Sequence, residues 1–238
     1  MPPHTESLDY ASAATANITR GRWILAFGIL MLAGLYILAL EFTPPDRLQG
    51  PAQKILYIHP PAAYAMQLAF TLVGICSGLY LWLADPRLDV FAEASAEVGM
   101  WLGLIVIITG PIWGRPVWGT YWAWDARLTF TLIELLVFAG YFALRSAVRD
   151  RVERTKFAAV VGLTALVLVP FNHLTVYLFA SQHPEPVFGK PEAPSAPWVM
   201  TRTFITGFFT FTVIYLGFVT QRYGIGLRAL DRELTDAG

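Results

Sequence analysis

The chain has 238 residues, of which 55% are apolar and 14% are charged, and its mean hydropathy is positive. Soluble domains carry roughly 25% charged residues, so this composition excludes an ordinary soluble protein. The 17 basic and 17 acidic residues give no net charge, so the charge balance supports neither nucleic acid nor an acidic substrate as a partner, and we predict no nucleic-acid partner. The composition indicates a protein whose solvent is the lipid bilayer.

Six apolar runs predict six transmembrane helices, because about 20 apolar residues cross the hydrocarbon core of a membrane. The runs cover residues 23–40, 62–83, 98–113, 128–145, 157–180 and 203–220. They use nearly the whole chain, so we predict an all-α integral membrane protein with one domain, 1–238. Residues 1–19 are polar or small, and we predict that they form a disordered cytoplasmic tail.

Lys and Arg residues near the ends of spans predict the orientation, because basic residues are retained on the cytoplasmic side. Eleven of the seventeen basic residues are cytoplasmic if both termini are cytoplasmic, and the segment 145–156 contributes most to this count. We therefore predict cytoplasmic N and C termini. Three loops then lie on the outward face of the membrane, at 41–61, 113–127 and 181–202.

The predicted loop 113–127 holds half of the eight tryptophans of the chain, namely Trp113, Trp118, Trp122 and Trp124. Glycines and prolines between residues 110 and 119 predict that regular helix is interrupted here and that the loop is a shaped surface. Indole rings are large and rigid and pack well on another flat aromatic system, such as a porphyrin. The alternative is an aromatic belt at the headgroup level.

Two histidines each precede a proline, in His59-Pro60 and His183-Pro184. Proline disfavours helical geometry in the residue before it, so we expect both imidazoles just off helix ends, at the depth of the tryptophan-rich loop. Neutral imidazole ligates haem iron, and two would give a six-coordinate site. The alternative is that each is an ordinary interfacial residue. His173 is a rival ligand that we interpret as structural.

Haem propionates require cations, and Arg115 and Arg127 flank the loop; Arg127 could instead pair with Asp125 or reach the headgroups. Asp125 precedes the fourth span and can cap it.

Cys76 is the single cysteine and no C-x-x-C-H sequence is present, so a bound haem would be non-covalent. Glu134 lies well inside a span, where we favour a helix or subunit contact over chemistry.

The segment WGRPVWGTYWAWDARLT, residues 113–129, contains the tryptophan-rich pattern WGxxWxWD, and with it the sequence resembles the CcmC family of bacterial cytochrome c maturation. The pattern consists of Trp118, Gly119, Trp122, Trp124 and Asp125. The segment ILYIHPPAA around His59 is similar to the first histidine region of the family, and the stretch from His173 to His183 is similar to the second. The resemblance covers the whole chain.

The resemblance implies that haem b sits on the periplasmic face of the inner membrane, between His59 and His183, with the tryptophan loop against its plane. It further implies transfer of this haem to the chaperone CcmE, together with the subunits CcmA, CcmB and CcmD. We predict binding and handover, with no catalytic residue supplied by the chain. The alternatives are a permease subunit of an ABC-type haem exporter, an electron-transfer cytochrome b and a structural scaffold.

Overall fold

A computed structural model describes residues 9–179, 182–183 and 197–236. Its regular elements are seven α-helices and one 3₁₀ helix. They are α1 (Tyr10–Glu41), the 3₁₀ helix (Pro51–Tyr57), α2 (His59–Leu83), α3 (Pro86–Trp118), α4 (Ala126–Ala147), α5 (Arg151–Ala165), α6 (Leu168–Leu178) and α7 (Trp198–Asp236). Six helical segments are long and apolar enough to cross a membrane. The predicted six-span, all-α architecture is confirmed.

The first helix begins earlier than predicted, at Tyr10. The Asp9 carboxylate accepts a hydrogen bond from the Ser12 backbone N–H at 2.9 Å and so caps the helix. Ala14 is fully buried with Leu227 and Leu230 of α7. The prediction of a disordered tail is therefore wrong for residues 10–19, because small residues that look disordered in sequence pack here against another helix. Residues 1–8 lie outside the described part of the chain.

The third helix extends well beyond the predicted span and continues through two prolines, Pro111 and Pro116. Membrane helices tolerate proline where neighbouring groups satisfy the freed carbonyls. The helix ends at Gly119, whose φ of +76° favours glycine and whose N–H donates to the Arg115 carbonyl at 3.0 Å. The predicted loop 113–127 is thus wrong at its start: its first six residues are helical, and the irregular segment is 119–125.

The fifth span is broken into α5 and α6 at Leu166 and Val167. Pro170 explains this break, since proline lacks the N–H that would bond to the carbonyl four residues earlier, and its ring clashes with that carbonyl. Restarting the helix at Leu168 places Pro170 in the first turn of α6, where the missing donor costs little.

Close backbone contact joins α1 to α7. A Cβ atom added at Gly21 would lie 2.4 Å from the Gln221 backbone nitrogen, and one at Gly217 would lie 2.6 Å from the Leu25 nitrogen. Small residues allow membrane helices to approach in this way.

The central core forms between α2, α3, α4, α5 and α7. Within it, Phe70 stacks on Phe138, with ring centroids 3.7 Å apart. This packing brings the start of α2, the end of α3 and the start of α4 to one end of the bundle.

At the opposite end of the bundle, ion pairs join neighbouring helices. Arg145 of α4 donates to Asp89 and to Glu93 of α3, each at 2.6 Å. The Thr155 hydroxyl of α5 donates to the same Asp89 carboxylate at 3.2 Å. We call Arg145, Asp89, Glu93 and Thr155 the arginine cluster. It joins three helices through a side chain that is only 7% exposed.

Candidate functional site

His59 is the first residue of α2, one position inside the helix rather than just off it, and Pro60 follows in the same first turn. Its Nδ1 lies 2.9 Å from the Thr109 hydroxyl of α3. The Trp113 ring meets the imidazole edge-on, with centroids 5.9 Å apart and an angle of 73°. The packing of α2 against α3 therefore fixes the position of the first predicted ligand.

Trp113 is itself held by the loop that precedes α2. Its indole N–H donates to the Gln49 side-chain oxygen at 2.9 Å. The loop turns through Gly50, which has a φ of +58°. The tryptophan thus links the first histidine, the last turns of α3 and the loop between α1 and α2.

His183 is the second predicted ligand, and it too contacts a tryptophan of α3. The Trp118 and His183 ring centroids are 5.0 Å apart, at an angle of 62°. Its Nδ1 is 3.7 Å from the Asp125 carboxylate. Burial lowers the pKa of the His183 imidazole to about 4, and the positive charge of Arg127 acts in the same direction, against the effect of Asp125. The imidazole is neutral near pH 7, as ligation of iron requires.

Asp125 connects the irregular segment 119–125 to its surroundings. Its carboxylate accepts from the Arg127 backbone N–H at 2.9 Å and from the Leu128 N–H at 3.4 Å, which caps α4. The other oxygen accepts from the Gln182 backbone N–H at 2.7 Å. The predicted capping role is confirmed. The same carboxylate also holds the chain segment that carries His183.

The structure brings the two predicted ligands to one place. Both imidazoles contact tryptophans in the last turns of α3, Trp113 for His59 and Trp118 for His183.

The remaining tryptophans differ in exposure. Trp122 and Trp124 meet edge-on with centroids 5.7 Å apart. The Trp122 indole nitrogen is buried and has no hydrogen-bond partner among the described residues, whereas Trp124 is 78% exposed. A buried donor of this kind can bind an acceptor supplied by a ligand.

The two arginines also differ. Arg115 is exposed; it donates to the Gly119 carbonyl and lies over the Tyr121 ring, 5.7 Å from its centroid. Arg127 is half-buried, and within the described residues no carboxylate forms an ion pair with it. Lys54 is half-buried as well and has no ionic partner in the described chain, but its ammonium donates to the Ala39 and Thr43 carbonyls.

His173 and Glu134 lie on other parts of the helices. His173 is exposed on α6, outside the pair of contacts that holds His59 and His183. Glu134 is 1% exposed and accepts from Gln67 at 2.8 Å and from Asn172 at 3.0 Å. The carboxylate joins α2, α4 and α6, as a helix contact would.

Two polar residues of the site, Thr109 and Gln49, were missed by sequence reasoning. Each contacts a residue that is 50 or 64 positions away along the chain. Neither belongs to a recognisable pattern, so only the packing of α3 against α2 and its preceding loop reveals them.

Comparison with known proteins gives matches to a single family. Residues 8–235 match the family model CcmC, described as haem exporter protein C. Haem exporter protein C of Haemophilus influenzae is 33% identical over 211 residues, which are 88% of this chain and 86% of that protein. The protein of the same name from Bradyrhizobium diazoefficiens is 39% identical over 163 residues, 68% of this chain and 61% of that protein.

A relative also occurs outside bacteria. A mitochondrial protein of Marchantia polymorpha, described as ccmC-like and connected with cytochrome c biosynthesis, is 30% identical over 160 residues, 67% of this chain and 68% of that protein. Because the family model covers nearly the whole sequence and the Haemophilus influenzae relative is similar over most of both chains, this chain belongs to the CcmC family.

Proposed function

We propose that the chain binds haem b non-covalently on the periplasmic face of the bacterial inner membrane and delivers it to the chaperone CcmE during cytochrome c maturation. The observation that carries this proposal is that His59 and His183 each contact a tryptophan at one end of α3. Two neutral imidazoles at one place can ligate the two axial positions of a haem iron.

The groups around the histidines fit the rest of a haem molecule. Trp113, Trp118 and Trp122 supply flat apolar surface for the porphyrin. The Trp122 indole N–H has no hydrogen-bond partner among the described residues, and the half-buried Arg127 forms no ion pair with them. Both groups are donors that suit the propionate carboxylates. Arg115 is better placed to support the end of α3, since its side chain bonds to Gly119. Haem itself supplies the iron and vinyl chemistry of any later covalent step.

Orientation and partners rest on the sequence and on the family. The positive-inside count favours cytoplasmic termini, which would place His59 and Trp118 on the periplasmic side. The family name and the Ccm system imply the partners CcmA, CcmB and CcmD. The exposed Trp124 supports a docking role for CcmE, because a large aromatic side chain that no residue of the same chain covers is a frequent anchor of protein interfaces.

The alternative function is a permease subunit of an ABC-type haem exporter. One observation favours it: Glu134, Gln67 and Asn172 form a polar cluster inside the helix bundle. These side chains bond to one another and join three helices, so we favour the binding function. Reconstitution of the chain with CcmA and CcmB in haem-loaded vesicles separates the two, because only a permease would give ATP-dependent release of haem across the bilayer.

Absorption spectra test the proposed haem site. The protein is purified in mild detergent from haem-replete cells, and oxidised and reduced spectra are compared at equal concentration for wild type, His59→Ala, His183→Ala and His173→Ala. We expect a low-spin b-type spectrum that is lost or altered in the first two variants and kept in the third. Failure of the wild type to bind haem, either in cells or on titration, would contradict the proposal.

A further inference from the structure

We propose that Thr109 is a positioning residue, which holds the His59 imidazole in one tautomer and thereby reserves its Nε2 for haem iron. This inference rests on the proposed haem site. It concerns how the ligand is prepared, a role that neither the family description nor the sequence motif assigns to Thr109.

The argument begins with the single hydroxyl proton of Thr109. The hydroxyl oxygen lies 2.6 Å from the backbone carbonyl of Ile105, one turn earlier in α3. A carbonyl oxygen can only accept a hydrogen bond, so the threonine proton must point to Ile105. This hydroxyl has no second proton to give to His59.

The contact between Thr109 and His59 then has one possible direction. The two atoms, Thr109 Oγ1 and His59 Nδ1, are 2.9 Å apart. Because the hydroxyl can only accept here, the proton of this bond must be on Nδ1. A neutral imidazole carries one N–H, so Nε2 has a free lone pair. Within the described residues no hydrogen bond engages Nε2.

The ring is restrained in two further ways. Gly110 leaves room for it, since a Cβ atom at that position would lie 3.3 Å from His59 Cε1. On another side the Trp113 ring, itself bonded to Gln49, packs edge-on against the imidazole. Residues 109, 110 and 113 of α3 therefore line the space that the imidazole ring occupies. The histidine has a fixed orientation as well as a fixed tautomer before haem arrives.

Such an arrangement has a chemical consequence for the bound iron. A histidine whose second nitrogen donates to a fixed acceptor is a more basic ligand, and loss of the acceptor typically lowers metal affinity 10-fold to 100-fold. A more basic ligand stabilises ferric over ferrous iron. Loss of the Thr109 hydroxyl should therefore weaken haem binding and move the reduction potential of the haem to more positive values.

The variants Thr109→Val and Thr109→Ser separate the hydroxyl from the shape of the side chain. Valine preserves the shape and removes the acceptor, whereas serine retains the acceptor. Thr212→Val is the matched control, because the Thr212 hydroxyl also bonds one turn back, to Phe208 at 2.8 Å, and contacts no histidine. Thermal unfolding of each purified variant checks that the helix bundle is intact.

The first measurement uses the haem-free protein, labelled with ¹⁵N at histidine and assigned with His59→Ala. Nitrogen chemical shifts report which ring nitrogen carries the proton. We expect the Nδ1–H tautomer in wild type and Thr109→Ser, and a mixture of tautomers in Thr109→Val. An Nε2–H tautomer in the wild type would overturn the inference, whatever the protein does with haem.

The second measurement uses haem titration and redox titration of the same variants. We expect Thr109→Val to bind haem about 10-fold to 100-fold more weakly than wild type, with a more positive potential, and Thr109→Ser and Thr212→Val to resemble wild type. Equal affinity and potential in Thr109→Val would overturn the inference while leaving the haem site intact. Absence of haem binding in the wild type would refute the proposed function, and the tautomer measurement would still decide the role of Thr109.

Discussion

The two ends of the helix bundle differ in how an arginine side chain is paired. In the arginine cluster, the guanidinium of Arg145 bonds to two carboxylates of the same chain. At the tryptophan end, the half-buried Arg127 forms no ion pair with the described residues, and the indole nitrogen of Trp122 has no partner there. The Nε atom of Arg145 also has no partner among the described residues, so the two ends differ in how their charges are paired and not in whether unpartnered polar atoms are present. Burying an unmatched charge is costly, and this difference supports the proposed ligand site at the tryptophan end.

The largest effect is expected when the cation of the arginine cluster is removed. Arg145→Met would leave Asp89 and Glu93 without their cation, and Asp89 is only 12% exposed. Loss of one partner of a buried ion pair costs about 3–5 kcal/mol. We expect a strongly lowered thermal unfolding midpoint in detergent, with an unchanged haem spectrum in the protein that remains folded.

The control for this prediction is Arg87→Ala, which removes a solvent-exposed partner of Asp85. Such surface pairs contribute about 0–1 kcal/mol, so the midpoint should hardly move. Equal destabilisation by both variants would show that the arginine cluster contributes no more to stability than the surface pair of Arg87 and Asp85.

The next effect concerns the unmatched arginine. Arg127→Gln removes the cation that we assign to a haem propionate, and charge-assisted hydrogen bonds contribute about 1.5–3 kcal/mol. We expect haem affinity to fall about 10-fold to 100-fold in a titration, while Arg115→Gln, at the exposed arginine that bonds to Gly119, changes it less. The reverse order of effects would assign the propionate contact to Arg115.

A smaller effect should separate the two tasks of Asp125. Asn is a good helix cap, so Asp125→Asn keeps the start of α4 but removes the negative charge 3.7 Å from His183. We expect haem affinity to fall about 10-fold, as for other residues behind a metal ligand, with little change in unfolding temperature. Asp125→Ala should lower both, since it also loses the cap. If Asp125→Asn and Asp125→Ala have the same haem affinity and the same unfolding temperature, the negative charge of Asp125 has no role separate from the helix cap.

The smallest effect is predicted for Glu134→Gln. The new amide retains a side-chain oxygen that can accept from Gln67 and Asn172, which bond to the carboxylate in the native chain. We expect an unchanged haem spectrum and a stability change within about 1 kcal/mol. A loss of haem delivery to CcmE in cells, with normal folding, would instead show that this carboxylate takes part in the function.

The number of spans could be predicted from the sequence because lipid requires long apolar helices whose backbone bonds are internal. The ends of those helices could not. Pro111 and Pro116 were predicted to interrupt regular helix, yet α3 passes through both and includes Trp113 and Trp118. The ten residues from Tyr10 onwards look disordered by composition, but they are helical here, capped by Asp9 and packed against α7.

In the candidate site, too, some residues could be predicted from the sequence and others depend on how the helices pack. His59, His183 and the tryptophans could be selected from the sequence because such residues are unusual next to apolar spans. Thr109 could not, since a threonine within an apolar run has no distinguishing pattern, and its contact with His59 depends on how α3 packs against α2. The chemistry of the ligands is local in sequence, whereas their orientation depends on contacts between helices.

The most direct test of the haem site replaces each proposed histidine ligand by glycine and then supplies free imidazole in solution to fill the space left by the side chain. Ferric His59→Gly, His183→Gly and His173→Gly are loaded with haem and examined by electron paramagnetic resonance with and without added imidazole. We predict that the first two lose the low-spin signal and regain it when imidazole is added, while His173→Gly keeps it throughout. Retention of the wild-type signal by both His59→Gly and His183→Gly without imidazole would contradict ligation of haem iron by these two residues.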